Sequence, residues 1–247
     1  MQIAEARCLV VAGARGLGRE IALGLAAAGA DVAISFHSSA TPAATVSSAI
    51  AALGVRSAKV EGDVRTAAGA SALVGASADA LDGLDAVVFA ASGPFVPLAP
   101  HEIDEPTWDA SLDTIAKGFF FVAVAAHQRF VAQGSGGVVV ALTDVIGAER
   151  PNGSFAAHAA AKAAEAGLVK SLAKAWASDG VRVCGVAPGP VLLADDPYSE
   201  RTARAGERTA FGQRGEPAEI AAAVCFCLEN ESLTGTNLVV DGGMSLR

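Results

Sequence analysis

Short apolar segments that suit β-strands alternate with longer segments of helical periodicity along all 247 residues. The predicted strands are residues 8–11, 32–36, 57–60, 85–90, 138–142, 181–186 and 237–240. Since strand, helix and next parallel strand form a right-handed crossover, this order predicts a mostly parallel sheet with helices on both faces. The strands are apolar throughout, as expected when both faces are covered. The alternation therefore predicts an α/β fold with a single doubly wound domain over residues 1–247.

Composition and charge exclude several classes of protein. Apolar residues make up 52% of the chain and charged residues 18%, which is not the composition of a disordered protein. The net charge of −8 disfavours binding to a phosphate backbone, so we expect no nucleic-acid partner. The longest uninterrupted apolar runs, such as 119–126, are far shorter than the about 18 residues of a membrane span. We therefore expect a soluble cytoplasmic protein with no membrane partner.

The four cysteines favour free thiols over a metal site. Cys225 and Cys227 are spaced C-x-C in an apolar helical segment, without a second cysteine pair or a histidine pair beside them. A structural zinc site requires four such ligands, so we expect no metal.

A glycine-rich turn joins the first predicted strand to the first predicted helix. It reads Gly13-Ala14-Arg15-Gly16-Leu17-Gly18. Glycines at such a junction let backbone N–H groups approach a pyrophosphate at the start of the helix. A lone turn of this kind is a weak motif, and a tight turn that binds nothing is the alternative. Its place at the first strand–helix junction of an alternating chain favours dinucleotide binding.

From this turn onward the sequence resembles the short-chain dehydrogenase/reductase superfamily over its whole length. The motifs that carry the resemblance are the turn at 13–18, Asp63-Val64, Trp108-Asp109, Ala161-Lys162-Ala163-Ala164, Pro188-Gly189-Pro190-Val191 and Val240-Asp241-Gly242-Gly243. The resemblance implies a seven-stranded Rossmann-type sheet, a nicotinamide cofactor and a small-molecule substrate. It also implies a homotetramer or homodimer built on two long helices.

The resemblance assigns cofactor-binding roles to five segments of the chain. These are the glycine-rich turn, the end of the second strand, the adenine-side pair and the segments that follow the fourth and sixth strands. With the lysine of the catalytic motif they comprise Ala12, Gly13, Arg15, Gly16, Leu17, Gly18, His37, Ser38, Asp63, Val64, Ala90, Ala91, Ser92, Lys162, Pro188, Gly189 and Val191. Ala12 stands where the family has the first glycine of the turn.

The end of the second strand bears on the choice of nicotinamide cofactor. NAD-preferring members of the family carry an acid here that binds the ribose 2′-hydroxyl. This chain has Phe36 at that position, followed by His37 and Ser38. Arg15 lies on the side of the turn that faces this segment, and a cation with hydroxyl groups suits a 2′-phosphate. We therefore predict NADP(H) rather than NAD(H).

The catalytic positions depart from the pattern of the family. Its members use Asn, Ser, Tyr and Lys, of which Tyr donates a proton and Lys holds the nicotinamide ribose. In register with these, the chain has Ile115, Asp144, His158 and Lys162. The single tyrosine of the chain, Tyr198, comes later. The candidate catalytic residues are therefore Asp144, His158, Lys162 and Tyr198.

These replacements leave several functions open. An imidazole can donate a proton near neutral pH, so His158 oriented by Asp144 predicts a reductase of C=O groups with a rebuilt donor. Residues 91–97 and 188–190 also resemble the 2,4-dienoyl-CoA reductase branch, which reduces C=C bonds. A lyase, cyclase or isomerase that uses Asp144 and His158 as acid and base is a third possibility. A catalytically silent NADP(H)-binding protein is the fourth.

The substrate side is predicted at the carboxyl ends of the strands, under a lid over about residues 192–214. Candidate contacts are Phe95, Phe155, Tyr198 and Phe211, which predict a small, largely apolar substrate. Arg201, Arg204 and Arg208 fall on one helical face of the lid, and we expect that face to be solvated.

Overall fold

The computed structural model describes residues 1–150, 152–193 and 199–246. Within these residues, seven strands form one sheet in the order β3-β2-β1-β4-β5-β6-β7, and every neighbouring pair is parallel. The strands are β1 (Arg7–Val11), β2 (Asp31–Phe36), β3 (Ser57–Glu61), β4 (Ala86–Phe89), β5 (Gly137–Leu142), β6 (Val181–Pro188) and β7 (Asn237–Val240). The predicted fold class is confirmed.

Helices connect the strands in the predicted alternation. They are α1 (Gly16–Ala27), α2 (Ala40–Ala52), α3 (Ala67–Ala80), α4 (Glu105–Leu112), α5 (Gly118–Gln133), α6 (Val145–Ala148), α7 (Ala156–Trp176), α8 (Ser199–Gly206) and α9 (Pro217–Glu229). A π-helical turn, Asp113–Lys117, joins α4 to α5, so the two run as one long helix. The sequence predicts one helix over 106–133 without this turn.

The two faces of the sheet are covered by different helices. One hydrophobic core contains side chains of α1, α2 and α9, and the other contains side chains of α3, α5 and α7. Successive residues of a strand point to opposite faces, so Val10 belongs to the first core and Leu9 and Val11 to the second. This double coverage explains why the central strands are largely apolar, whereas the edge strand β3 carries Lys59 and Glu61.

The order of the strands places the site. Strand β1 lies between β2 and β4, so the chain crosses to opposite sides of β1 and leaves a crevice at the carboxyl end of that strand. The turn after β1 and the ends of β4, β5 and β6 all lie along this edge.

The long helix Glu105–Gln133 is long and apolar enough to cross a membrane by length and composition alone. Half of its most apolar window is buried inside the domain, and Phe119, Val122 and Phe130 are fully buried beneath the sheet. A core helix has the same composition, so this helix is weak evidence for a membrane span.

Candidate functional site

The turn between β1 and α1 is tightly constrained. Ala12 and Gly16 both adopt left-handed backbone conformations, at φ 59° and 53°. A β-carbon at position 18 would overlap the carbonyl oxygen of Ala12, because the first turn of α1 lies directly against the preceding strand. Position 18 therefore requires glycine, and position 16 favours it.

Backbone N–H groups at the start of α1 provide a place for a phosphate. Arg15 occupies the N-cap position in an extended conformation, and its side chain does not cap the helix. The N–H of Ala12 donates to Ser35 Oγ at 3.1 Å, and the N–H of Gly13 donates to the Ser35 carbonyl at 3.0 Å. The following N–H groups of the first helical turn therefore remain available to an anion, which fits the pyrophosphate of a dinucleotide.

Replacing Ala12 by glycine should stabilise the protein. A left-handed conformation costs a residue with a β-carbon about 1–2 kcal/mol, so glycine removes this strain. The greater freedom of glycine in the unfolded chain costs about 0.5–1 kcal/mol of stability in return. We expect a net stabilisation of about 0.5–1 kcal/mol, measured by thermal unfolding. Ala49→Gly at an exposed position of α2 is the control and should destabilise instead. A lower melting temperature for Ala12→Gly would contradict the left-handed assignment.

The predicted adenine-side acid is held by a neighbouring arginine. Asp63 accepts from Nε and Nη2 of Arg65 at 2.6–3.0 Å. These hydrogen bonds lower the pKa of Asp63 to about 2, with a further contribution from the charge of His37. Phe36 is buried, whereas Arg15 and His37 are exposed. An ionised acid and two exposed basic side chains thus border the place predicted for the adenosine half.

Lys162 is buried at the end of β5. Its Nζ donates to the carbonyl oxygen of Leu142 at 2.6 Å and to Oε2 of Glu165 at 2.9 Å. Lys162 is 4% exposed and Glu165 0%. Two of the three ammonium N–H groups are thus used within the described residues, and the third can donate to a hydroxyl of a bound cofactor.

Asp144 and His158 are in contact, as the sequence predicts for a carboxylate–imidazole pair. The distance between Asp144 Oδ2 and His158 Nε2 is 3.0 Å, and Oδ1 of Asp144 accepts from the N–H of Ile146 at 2.8 Å as the N-cap of α6. His158 is 5% exposed, and its Nδ1 is buried with no hydrogen-bond partner among the described residues. The carboxylate therefore fixes the ring and leaves Nδ1 as the nitrogen without a partner in the described part of the chain.

Gly147 lets α6 approach α7 closely. A β-carbon at this position would lie 2.6 Å from Cβ of Lys162 and 2.7 Å from the backbone nitrogen of Ala163. The hydrogen bond from Lys162 to Leu142 and the contact of His158 with Asp144 link the same two parts of the chain. Three ties therefore hold α7 against the end of β5.

Aromatic side chains enclose His158 on another side. The rings of Phe95 and Phe155 are stacked with centroids 4.4 Å apart, and Phe95 meets His158 edge-on at 4.8 Å. The guanidinium of Arg201, on α8, lies 5.0 Å from the centroids of both phenylalanine rings. The cavity that adjoins His158 and Phe155 measures about 20 Å³, which is room for about one water molecule.

Comparisons with known proteins match this fold and its motifs. The family model described as enoyl-(acyl carrier protein) reductase matches residues 11–245. An L-rhamnose 1-dehydrogenase (NAD(P)(+)) of a Sphingomonas species is 33% identical, covering 99% of this chain and 98% of its own. A 3-oxoacyl-(acyl-carrier-protein) reductase of Staphylococcus aureus is 32% identical, with 96% of each chain covered.

The chain belongs to the short-chain dehydrogenase/reductase superfamily. A solved short-chain dehydrogenase from Burkholderia cenocepacia in complex with NADP superposes with a TM-score of 0.88 at 30% identity, covering 99% of both chains. The matches support an oxidoreductase that uses a nicotinamide cofactor and a small-molecule substrate.

The remaining family positions lie along the carboxyl edge of the sheet. Ala90, Ala91 and Ser92 follow β4, and Pro188, Gly189 and Val191 lie at the end of β6 and just beyond it. A β-carbon on Gly189 would lie 2.7 Å from the Cα of Asp241, so this family motif approaches the closing motif too closely for any other residue.

Three predicted substrate-side residues have different outcomes in this short-chain dehydrogenase/reductase. Tyr198 lies outside the described residues, so its catalytic role stays a prediction. Phe211 is 80% exposed and does not join the aromatic stack. Arg201 was expected on a solvated face, yet it lies over the two phenylalanine rings, and the described part of the predicted lid thereby contacts the site.

The sequence analysis does not identify Glu165 as a residue of the site, nor the contact that Arg201 makes. Glu165 forms the ion pair with Lys162, and its signal is a glutamate on the face of α7 that otherwise carries buried residues such as Ala161 and Val169. The contact of Arg201 with Phe95 and Phe155 joins segments that are far apart in the sequence, and no local sequence pattern predicts it.

Proposed function

We propose that this protein is an NADP(H)-dependent oxidoreductase that reduces a C=O or C=C bond of a small, largely apolar substrate, with His158 as proton donor. The observation that carries the proposal is the 3.0 Å contact of Asp144 with His158, on the same helix face as the buried Lys162. A histidine at the position where the family has its tyrosine is a group able to donate a proton, and its pairing with Asp144 supports the proposal.

The roles of the chain's own residues follow from their contacts. When bound, the nicotinamide supplies the hydride. Asp144 holds the His158 ring through Nε2, which leaves Nδ1 as the nitrogen that would donate a proton to a substrate bound against it. Lys162 keeps one N–H group for a hydroxyl of the cofactor while the other two anchor it to Leu142 and Glu165.

Support for NADP(H) over NAD(H) comes from the end of β2. A buried phenylalanine, Phe36, cannot accept a hydrogen bond from the ribose 2′-hydroxyl, whereas Arg15 and His37 are exposed beside the turn. A 2′-phosphate would receive charge-assisted hydrogen bonds from such groups. The Burkholderia cenocepacia relative holds NADP in its solved structure.

Replacing Arg15 by alanine should weaken NADPH binding by about 10- to 100-fold, the loss typical of a hydrogen bond to a charged group. NADH affinity should change little, since NADH carries no 2′-phosphate. Titration calorimetry with both cofactors measures the two effects. Arg19→Ala is the control on the same helix, because Arg19 pairs with Glu20 at 2.8 Å. An equal loss for NADPH and NADH would overturn the assigned role of Arg15.

The substrate is proposed from the lining of the site. Phe95 and Phe155 present aromatic surface beside His158, which suits a largely apolar molecule. The Staphylococcus aureus relative is named for reducing an oxo group, and the matching family model is described as an enoyl reductase. Both bond types therefore belong in the test.

The test is oxidation of NADPH by the purified protein, followed by the loss of its absorbance. Panels of 3-oxo esters and aromatic ketones probe C=O reduction, and matched enones and dienoyl esters probe C=C reduction. We expect turnover with members of one panel. Absence of NADPH binding by calorimetry would sink the proposal.

The small cavity favours a second candidate, a catalytically silent NADP(H)-binding protein. The cavity beside His158 and Phe155 measures only about 20 Å³, and Arg201 lies over the rings of Phe95 and Phe155. This candidate predicts tight NADPH binding and no turnover with any substrate, even when Arg201→Ala uncovers the stack.

We also propose a homotetramer or homodimer in the cytoplasm, with no nucleic-acid or membrane partner. Trp108 and Val131 are exposed on the long helix α4–α5, and Phe226 is exposed on α9. Apolar side chains on helical faces suit contacts between copies of the chain. The net charge of −8 argues against nucleic acid.

A further inference from the structure

A buried glutamate faces the lysine of the site. Glu165 is fully buried one turn after Lys162 on α7, and Oε2 accepts from Nζ at 2.9 Å. The other carboxyl oxygen, Oε1, is buried without a hydrogen-bond partner among the described residues. An ionised carboxylate has several acceptor positions to satisfy, so this surrounding suits the ion poorly and the neutral acid better.

The charged groups around Glu165 act in opposite directions. Burial raises the pKa of Glu165 to about 7, the ammonium of Lys162 works against this rise, and the charge of Asp144 adds to it. The π-helical turn that packs against α7 buries Ile115, while its Asp113 and Lys117 pair with each other in solvent. The protonation of Glu165 therefore depends on the charge of Lys162 and on the charge of Asp144, which pairs with His158.

We propose that Glu165 is a positioning residue for Lys162 that takes up a proton when the cofactor binds. The proposal rests on the function given above. While ionised, Glu165 holds Lys162 by an ion pair. Once protonated, Glu165 accepts the hydrogen bond from Lys162 with an uncharged carboxyl oxygen. The positive charge of the ammonium is then no longer neutralised by Glu165 and can act on the cofactor.

The sign of the proton change follows from electrostatics. NADPH carries a net negative charge and displaces water from the site, and both effects favour the neutral form of a buried carboxyl group. Binding should therefore raise the pKa of Glu165 further and draw in a proton. At about pH 7, where the group is close to half protonated, the uptake can reach about half a proton per NADPH. The positive nicotinamide ring of NADP⁺ opposes the effect, so its binding should take up less.

Titration calorimetry in buffers of different ionisation enthalpy measures this uptake. The wild-type protein should take up protons with NADPH, and Glu165→Gln, which keeps an acceptor for Lys162 but cannot titrate, should lose most of the uptake. Glu229→Gln, at an exposed position of α9, is the matched control and should behave as wild type. Retained uptake in Glu165→Gln, with loss in His158→Asn, would assign the proton to His158 and overturn the proposal.

A second measurement on the wild-type chain does not depend on the variant. Infrared spectra of the free protein at about pH 6 and about pH 8.5 should differ by the carbonyl stretch of a protonated, buried carboxylic acid. Asp241 is the other buried acid of the described residues. Burial raises its pKa, but a hydrogen bond with the Ser245 side chain and others from the backbone at Ser245 and Gly243 outweigh this and lower it, so Asp241 stays ionised. If this carbonyl band is absent at both pH values, the proposal is overturned.

The two proposals fail in different ways. A protein that binds no NADPH refutes the proposed function and with it the cofactor-linked uptake. NADPH binding whose proton uptake is the same in Glu165→Gln and in the wild type refutes only the role of Glu165.

Discussion

Replacing Lys162 by methionine should weaken NADPH binding at least about 10-fold and lower the free energy of unfolding at neutral pH by about 1–3 kcal/mol. The binding loss follows because the ammonium is the group left to donate to the cofactor. The stability loss follows because the Leu142 carbonyl and the Glu165 carboxyl group both lose their buried hydrogen-bond donor. Titration calorimetry and urea unfolding measure the two effects.

The stability loss in Lys162→Met should grow with pH. The folded-state pKa of Glu165 is raised to about 7, so the native protein binds more protons than the unfolded chain between the ordinary pKa and that value. Stability from this group is therefore present at low pH and lost as pH rises through neutrality. Lys162 opposes the rise in the Glu165 pKa, so its removal raises that pKa further and adds a cost only at pH values where wild-type Glu165 ionises. Lys170→Met, at an exposed position of the same helix, is the control and should change neither quantity. A loss independent of pH would contradict the pairing.

Replacing His158 by phenylalanine should lower kcat by about 10²- to 10⁴-fold in C=O reduction, the range for removing a general acid. NADPH affinity should be retained, because the contacts of Lys162 do not involve the ring. Steady-state kinetics measures kcat for each panel compound that the wild-type protein turns over. His101→Phe, an exposed histidine far along the chain, is the matched control.

The same variant separates the two reductions. If the protein reduces C=C bonds and takes its proton from water, His158→Phe should retain most of its activity. A large fall in kcat on an enone would instead make His158 the donor there too. Wild-type activity on a ketone after the substitution would remove His158 from the mechanism.

Much of the fold could be predicted from the sequence because it depends on local patterns. The predicted bounds of β7, residues 237–240, match those observed, and the predicted end of β3 differs from the observed end by one residue. The sequence indicates a carboxylate–imidazole pair of Asp144 and His158 only if the two side chains lie close, and the structure brings them to 3.0 Å. These positions depend on chain periodicity and on glycine-rich turns, which a sequence displays directly.

The rest of the site depends on long-range packing. Glutamate three residues after lysine on a helix is typical of an exposed pair, and only the burial of α7 shows that Lys162 and Glu165 meet away from water. The π-helical turn at Asp113–Lys117 lies where the long helix contacts α7, a contact that no local signal specifies. The role of Tyr198 remains a prediction.

The ties between the end of β5 and α7 imply that residues 144 and 158 are inherited together. An aspartate at 144 without the imidazole would leave its Oδ2 without a partner near Glu165, whose neutral form the charge of Asp144 already favours. A histidine at 158 without the carboxylate would lose the acceptor that fixes its ring. Because Gly147 holds the two segments too close to adjust, neither change is easily absorbed alone. Related sequences should therefore carry Asp144 and His158 as a pair, or neither of them.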